Sequence, residues 1–191
     1  MQPLSSRQQL AVGLIFTLLM AVTRSHHWAT LSALPDASWA IFFLAGFYLR
    51  PIWIVPAFML ETVLVDYVAI TWGGVSSYCI SPAYGFLIPA YAMLFLAGRV
   101  YTRHHRLSWA AFPWLLGCAV AGAGLAELFS SGGFYLFSGR FPDPTLADFM
   151  SRLSKYFPSM FSSMMLYLGL GAIVHVSVAS LRGASGQARQ P

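Results

Sequence analysis

Apolar runs of roughly twenty residues alternate with short polar breaks along almost the whole chain. A run of about 20 apolar residues is what a helix needs to cross the hydrocarbon of a bilayer. Six such segments can be marked. Span 1 runs from about Gln9 to Thr23, span 2 from Ala37 to Leu49, and span 3 from Ile52 to Thr71. Span 4 covers about Ala83 to Val100, span 5 Trp109 to Phe129, and span 6 Tyr156 to Leu181. The pattern predicts an all-α integral membrane protein in which residues 1–182 form one domain of six transmembrane helices. Residues 183–191 are Gly, Ser, Gln and Ala with little else, and are expected to form a disordered tail.

The breaks differ in character. Arg24 closes span 1, where its long side chain is expected to snorkel toward the interface. Loop 1 follows with Ser25-His26-His27-Trp28, and Pro35-Asp36 reads as a helix start. Arg50-Pro51 stops span 2. Loop 3 is a polar island, Gly73-Gly74-Val75-Ser76-Ser77-Tyr78-Cys79-Ile80-Ser81-Pro82-Ala83-Tyr84-Gly85, whose glycine pair and Ser-Pro step break regular structure. Loop 4, residues 99–106, is strongly basic. Loop 5 is expected to be the longest, from about Ser130 to Asp148, with Gly132-Gly133 and Pro142-Asp143-Pro144 as its breakers and Phe134, Tyr135 and Phe137 on it. The small-residue run from Gly117 to Gly124 in span 5 reads as a helix-packing face.

Composition agrees with a lipid solvent. The chain is 58% hydrophobic and 9% charged, with a mean hydropathy of +0.66. A soluble domain carries about 25% charged residues. The net charge of +5 therefore reports topology rather than nucleic-acid binding. The two termini and loops 2 and 4 carry Arg7, Arg50, Arg99, Arg103, Arg106, Arg182 and Arg189, and no acid. The other side carries Arg24, Arg140, Arg152 and Lys155 beside Asp36, Asp143 and Asp148. The positive-inside rule then puts both termini in the cytoplasm and turns loops 1, 3 and 5 outward. The first apolar run, Leu10 to Val22, has no small-residue cleavage site and is followed by further spans, so it does not read as a cleaved signal. No phosphate-binding G-x-x-x-x-G-K-[ST], no G-x-S-x-G and no H-E-x-x-H occurs, which removes three familiar hydrolase chemistries.

Candidate chemistry gathers in the outward loops. Cys79 is one of two cysteines; the other, Cys118, lies inside span 5. A thiolate is both a soft metal ligand and a nucleophile. An unpaired thiol facing an oxidising compartment is a liability unless it is used. Around it the loops supply His26, His27, Trp28, Tyr78, Tyr84, Phe134 and Tyr135, which would make aromatic walls with a few polar anchors. Asp66 and Glu61 lie in span 3, five residues apart and so on different helix faces. Intramembrane acids are costly. Each either lines a site or satisfies an interhelical hydrogen bond, and Glu127 in span 5 has the same two readings. His104 and His105 are expected to be solvated in the basic loop, and His175 to be packed in span 6.

The layout resembles the substrate-binding S-components of energy-coupling-factor vitamin transporters, small six-helix membrane proteins with cytoplasmic termini. Within that group the chain is similar to the BtuM family of bacterial cobalamin transporters. The residues that carry the likeness are Ser25-His26-His27-Trp28, the stretch from Glu61 to Asp66, and above all the island around Cys79. The resemblance implies an S-component-like bundle in the bacterial inner membrane, with vitamin B12 bound in an outward pocket of loops 1, 3 and 5. It implies that the Cys79 thiolate is the axial cobalt ligand, with His27, Asp66 and Tyr84 near the metal. From the same thiol grows a second expectation, that electron donation from sulfur promotes reductive removal of cyanide from cyanocobalamin, which would make Cys79 catalytic as well. The island glycines would let the backbone approach a broad corrin ring. The helix-1 A-x-x-x-A pattern by which many S-components dock their transmembrane partner is absent, since Ala11 and Ala21 are not so spaced. An energising ATPase module is therefore either borrowed or not used. Two other classes stay open on the residues alone. One is a small membrane enzyme with Cys79 as nucleophile and a loop-1 histidine as base. The other is an assembly protein with no ligand.

Overall fold

The computed structural model describes residues 4–24, 34–74, 76–77 and 81–187, with side chains placed to residue 181. The described residues form six α-helices and no strand: α1 Ser6–Arg24, α2 Ser38–Tyr48, α3 Ile54–Thr71, α4 Leu87–His104, α5 Phe112–Phe137 and α6 Leu146–Gln187. Short 3-10 turns, Pro82–Phe86 and Trp109–Ala111, lead into α4 and α5. Prolines fit at such entries because the missing N–H has no intrahelical acceptor there.

Five of the helices are long and apolar enough to cross a membrane. Their outward faces are apolar, as on α1, where Leu10, Leu14, Ile15 and Leu18 are all exposed. A face of that kind is stable only against lipid. The fold is thus the expected all-α integral-membrane bundle.

The exception is α2. At 11 residues it rises about 16 Å, half the thickness of the hydrocarbon core. Arg50 before Pro51 is pushed out of helical geometry, which stops it early. In place of lipid contact, α2 is the buried centre of the bundle: Ala40, Ile41, Phe42, Phe43 and Ala45 are all at 1% exposure or less. Its partner is α4. A Cβ on Gly46 would overlap the Phe95 carbonyl oxygen, and a Cβ on Gly98 would overlap the Phe43 carbonyl oxygen. The two glycines let the backbones touch in a reciprocal pair, the way small residues join helices in lipid. Phe42 stacks on Tyr91 across the same contact, with centroids 4.2 Å apart.

Loop 5 is shorter than expected, because α5 continues to Phe137 and α6 starts at Leu146. Gly132-Gly133 does not break the helix. Instead, a side chain at Gly133 would collide with the Phe86 ring of the turn before α4, so the glycine is a packing notch. The true stop is Gly139, in left-handed geometry at φ +70°. Consequently Phe134 and Tyr135 stand on a helix, not on a loop. Loop 4 is likewise shortened, since α4 carries Arg99, Arg103 and His104 to its end. At 42 residues α6 is about 63 Å long, some twice the hydrocarbon thickness, so its ends extend past the membrane.

Candidate functional site

A polar network joins the ends of α1, α2 and α3 to the start of α4. Arg24, the last residue of α1, turns inward. Its Nε donates to Asp66 Oδ1 at 2.7 Å and its Nη2 to Asp66 Oδ2 at 2.7 Å, a bidentate fork. Its Nη1 donates to Tyr91 Oη at 2.8 Å and to Ser38 Oγ at 3.2 Å, and lies 3.7 Å from Asp36 Oδ2. The snorkelling expected of Arg24 does not occur. A cation and an acid at similar depth in lipid lower each other's burial cost by pairing, and Asp66 is in reach.

Asp66 accepts a third hydrogen bond, from Tyr84 Oη at 2.6 Å. Tyr84 sits in the 3-10 turn at the far end of the island, whereas Asp66 lies on α3, the helix that leads into it. The two flanks of loop 3 are therefore tied together. On the other side, Asp36 accepts from the Ser38 N–H at 2.9 Å and from Ser38 Oγ at 2.6 Å. The Ala37 N–H donates to Thr23 Oγ1 at 3.2 Å, and Tyr167 Oη of α6 donates to the Pro35 carbonyl at 2.7 Å. The chain leaving loop 1 is thus anchored to α1, to α6 and to the guanidinium. With Arg24 side-chain exposure at 11% and Asp66 at 24%, the pair is mostly shielded.

The island glycines have a local task. Trp72 N–H reaches the Val68 carbonyl, Gly73 N–H reaches the Ala69 carbonyl, and Gly74 adopts φ +69°. Together these end α3 in the manner of a glycine C-cap. The hydroxyl of Ser81 is shielded from solvent and has no hydrogen-bond partner among the described residues.

A scan against protein-family models matches none, and a search of curated proteins finds no match.

Of the residues singled out in the sequence, Asp66 and Tyr84 are brought together. Cys79, Tyr78, His26, His27 and Trp28 lie outside the described residues. Tyr135 serves loop 5: its hydroxyl accepts from the Thr145 N–H at 2.9 Å and faces the Thr145 carbonyl at 3.2 Å, while its ring packs on Phe141 and Phe149. Phe134 packs edge-on to Phe141. Glu61 stands apart on α3, half-buried, with Thr17 of α1 beside it. Glu127 is buried on α5 and accepts from Ser131 Oγ at 2.6 Å, one turn further along the same helix, so its bond is intrahelical rather than the interhelical one expected. Among the described residues no group of three or more His, Cys, Asp or Glu is placed to hold a metal ion.

The other groups on and around the guanidinium, Arg24 itself, Asp36, Ser38 and Tyr91, were not among the sequence candidates. The available signal was electrostatic. A lone arginine at the end of span 1 and a lone aspartate in span 3 are opposite charges in one low-dielectric layer, where pairing is the least costly outcome. Both histidines expected to be solvated in the basic loop are instead packed. His104 stacks on Trp114 at 4.0 Å, and His105 packs against Phe47, Tyr101 and His175.

Proposed function

We propose that the chain is a cobalamin uptake protein of the bacterial inner membrane. In this reading both termini are cytoplasmic, and the vitamin is held in an outward pocket formed by loops 1, 3 and 5. Cys79 supplies a thiolate to the cobalt as axial ligand, a soft donor suited to a transition metal. His27 and Trp28 of loop 1 and Tyr78 of loop 3 contact the corrin, with Asp66 and Tyr84 beneath. The observation that carries the proposal is the Tyr84–Asp66–Arg24 chain of hydrogen bonds. It fastens both ends of the one loop that carries a soft ligand, and it uses the same guanidinium to steady the end of loop 1 through Ser38. A large, rigid cargo is bound more tightly by loops fixed in advance, because less ordering entropy is lost on binding.

The family likeness is the reason for naming cobalamin; the geometry supports a fixed loop site at this end of the bundle. A partner ATPase module is either borrowed or not used. The experiment is spectroscopic. Cyanocobalamin added to the purified full-length protein should shift the corrin absorption bands, and Cys79→Ala should abolish the shift. The same spectra report whether cyanide leaves the cobalt. An unchanged spectrum with the native chain, or an identical shift in Cys79→Ala, rejects thiolate ligation.

A further inference from the structure

At the opposite, arginine-rich end of the bundle, α2, α4, α5 and α6 enclose a cavity of about 550 Å³. That is within the range of small-molecule sites, about 300–1,000 Å³. Phe43, Leu44, Phe112, Leu115, Leu168 and Val176 form its walls. The polar groups on it mostly satisfy one another. Tyr48 Oη and His175 Nδ1 are 3.0 Å apart, and Tyr101 Oη and His105 Nδ1 are 2.9 Å apart. His105 Nε2 is buried and has no hydrogen-bond partner among the described residues, and the rest of the lumen is largely apolar.

Three features of the cavity point to one occupant. The first is depth. The lining residues on α6 run from Leu168 to Ser180, about 18 Å of helix. That is close to one leaflet of a hydrocarbon core about 30 Å thick. The second is the rim. Trp109 lines it at 92% exposure, an aromatic at the depth where indoles favour the headgroup layer. The third is charge. Arg106 lines the same rim, and none of the six acidic residues of the chain lines the cavity. An apolar slot one leaflet deep, with a cation and a tryptophan at its mouth, complements a lipid with an anionic headgroup.

We propose that this cavity is a binding site for an anionic phospholipid, with one acyl chain between α5 and α6 and the phosphate on Arg106. The site does not depend on the cargo at the other end of the bundle. Its function is to fill with lipid the space that side chains leave open between α6 and the start of α5.

The test uses the purified full-length chain with phosphatidylglycerol or phosphatidylcholine of identical acyl chains, read by native mass spectrometry and by thermal unfolding. One arginine near a surface is worth about 1 kcal/mol toward an anionic lipid, so phosphatidylglycerol should be retained roughly five-fold better. Arg106→Gln should bring that ratio close to one. Ala172→Phe, which fills the lumen from an exposed lining position, should remove both lipids; Ala179→Phe, nearer the mouth, is the second variant should the first fail to fold. Glycerol phosphate, a headgroup with no tail, should not compete. Equal retention of the two lipids, an unchanged ratio in Arg106→Gln, competition by glycerol phosphate, or lipid retained with the lumen filled would each overturn the proposal.

Discussion

Arg24 holds both carboxylate oxygens of Asp66, 42 residues further along the chain, at 2.7 Å each. The pair crosses from α1 to α3, and every other contact of the network is arranged around it. Breaking a buried pair by removing one partner leaves an uncompensated charge, which costs about 3–5 kcal/mol. Asp66→Ala and Arg24→Ala should each destabilise the protein by about 3 kcal/mol, the low end because Asp66 keeps some solvent contact. The double variant Arg24→Met/Asp66→Leu should lose much less than the sum. Reversible denaturation in detergent checks this, and strict additivity would show that the two side chains do not act as a pair.

Tyr84 transmits that pair to loop 3. A hydrogen bond to a charged group is worth about 1.5–3 kcal/mol. Tyr84→Phe should therefore speed amide exchange in Pro82–Phe86 and in the residues that follow Gly74, while leaving α5 and α6 unchanged. Exchange mass spectrometry resolves the two regions. Uniform acceleration over the whole chain would mean that the phenol supports the bundle rather than the loop.

In a host that requires the vitamin, trace cobalamin should restore growth through the native chain and fail to do so through Cys79→Ser. Serine keeps the size and loses the soft donor. Rescue by Cys79→Ser equal to the native chain, at equal membrane abundance, would separate uptake from sulfur ligation.

Glycines in the same bundle should respond with opposite sign. Gly98→Ala drives a Cβ into the Phe43 carbonyl and should destabilise by more than about 3 kcal/mol, because backbone must move. Gly117 has nothing within 4 Å of its missing Cβ. Gly117→Ala should be neutral or stabilising by up to about 1 kcal/mol, the helix-propensity difference. Paired unfolding curves decide it.

His105 lies just past α4, and its imidazole is held below its usual pKa by burial first and by the neighbouring His175 second. Tyr101 bonds its Nδ1 and Phe47 and His175 pack edge-on to its ring, and no acidic residue lines the cavity beside it. A depressed imidazole pKa means that the unfolded chain takes up the proton first as pH falls. Stability from this group should be level above about pH 6.5 and decline below it, until the folded-state pKa is passed. His105→Gln should flatten that part of the profile. A decline of equal size in the variant would assign it to other groups.

The six helices were legible from apolar run length alone, and Arg50-Pro51 marked the end of α2. Less legible was that α2 is a buried half-length helix. Its residues are as apolar as those of a lipid-facing span, and apolar composition does not distinguish a lipid neighbour from a protein one. Gly132-Gly133 misled because a glycine pair signals a break in water, whereas in a packed bundle Gly133 makes room for Phe86. Asp66 was singled out from its cost in the membrane, and Tyr84 from its place on the outward loop and from the family likeness. Arg24 was seen but assigned to the interface, because the choice between snorkelling and pairing depends on where α3 stands relative to α1, and spacing along the chain does not encode that.

Helix α6 grips α2 at both extremities: Tyr167 bonds the Pro35 carbonyl just before its start, and His175 bonds Tyr48 at its close. Along its flank, the Gly46 and Gly98 contacts allow no sliding against α4. The short helix is thus a strut about 16 Å long, joining the layer that holds Arg24 to the layer that holds His105. A pull on loop 1 is therefore passed along α2 to the Tyr48–His175 contact, about 16 Å further into the bundle.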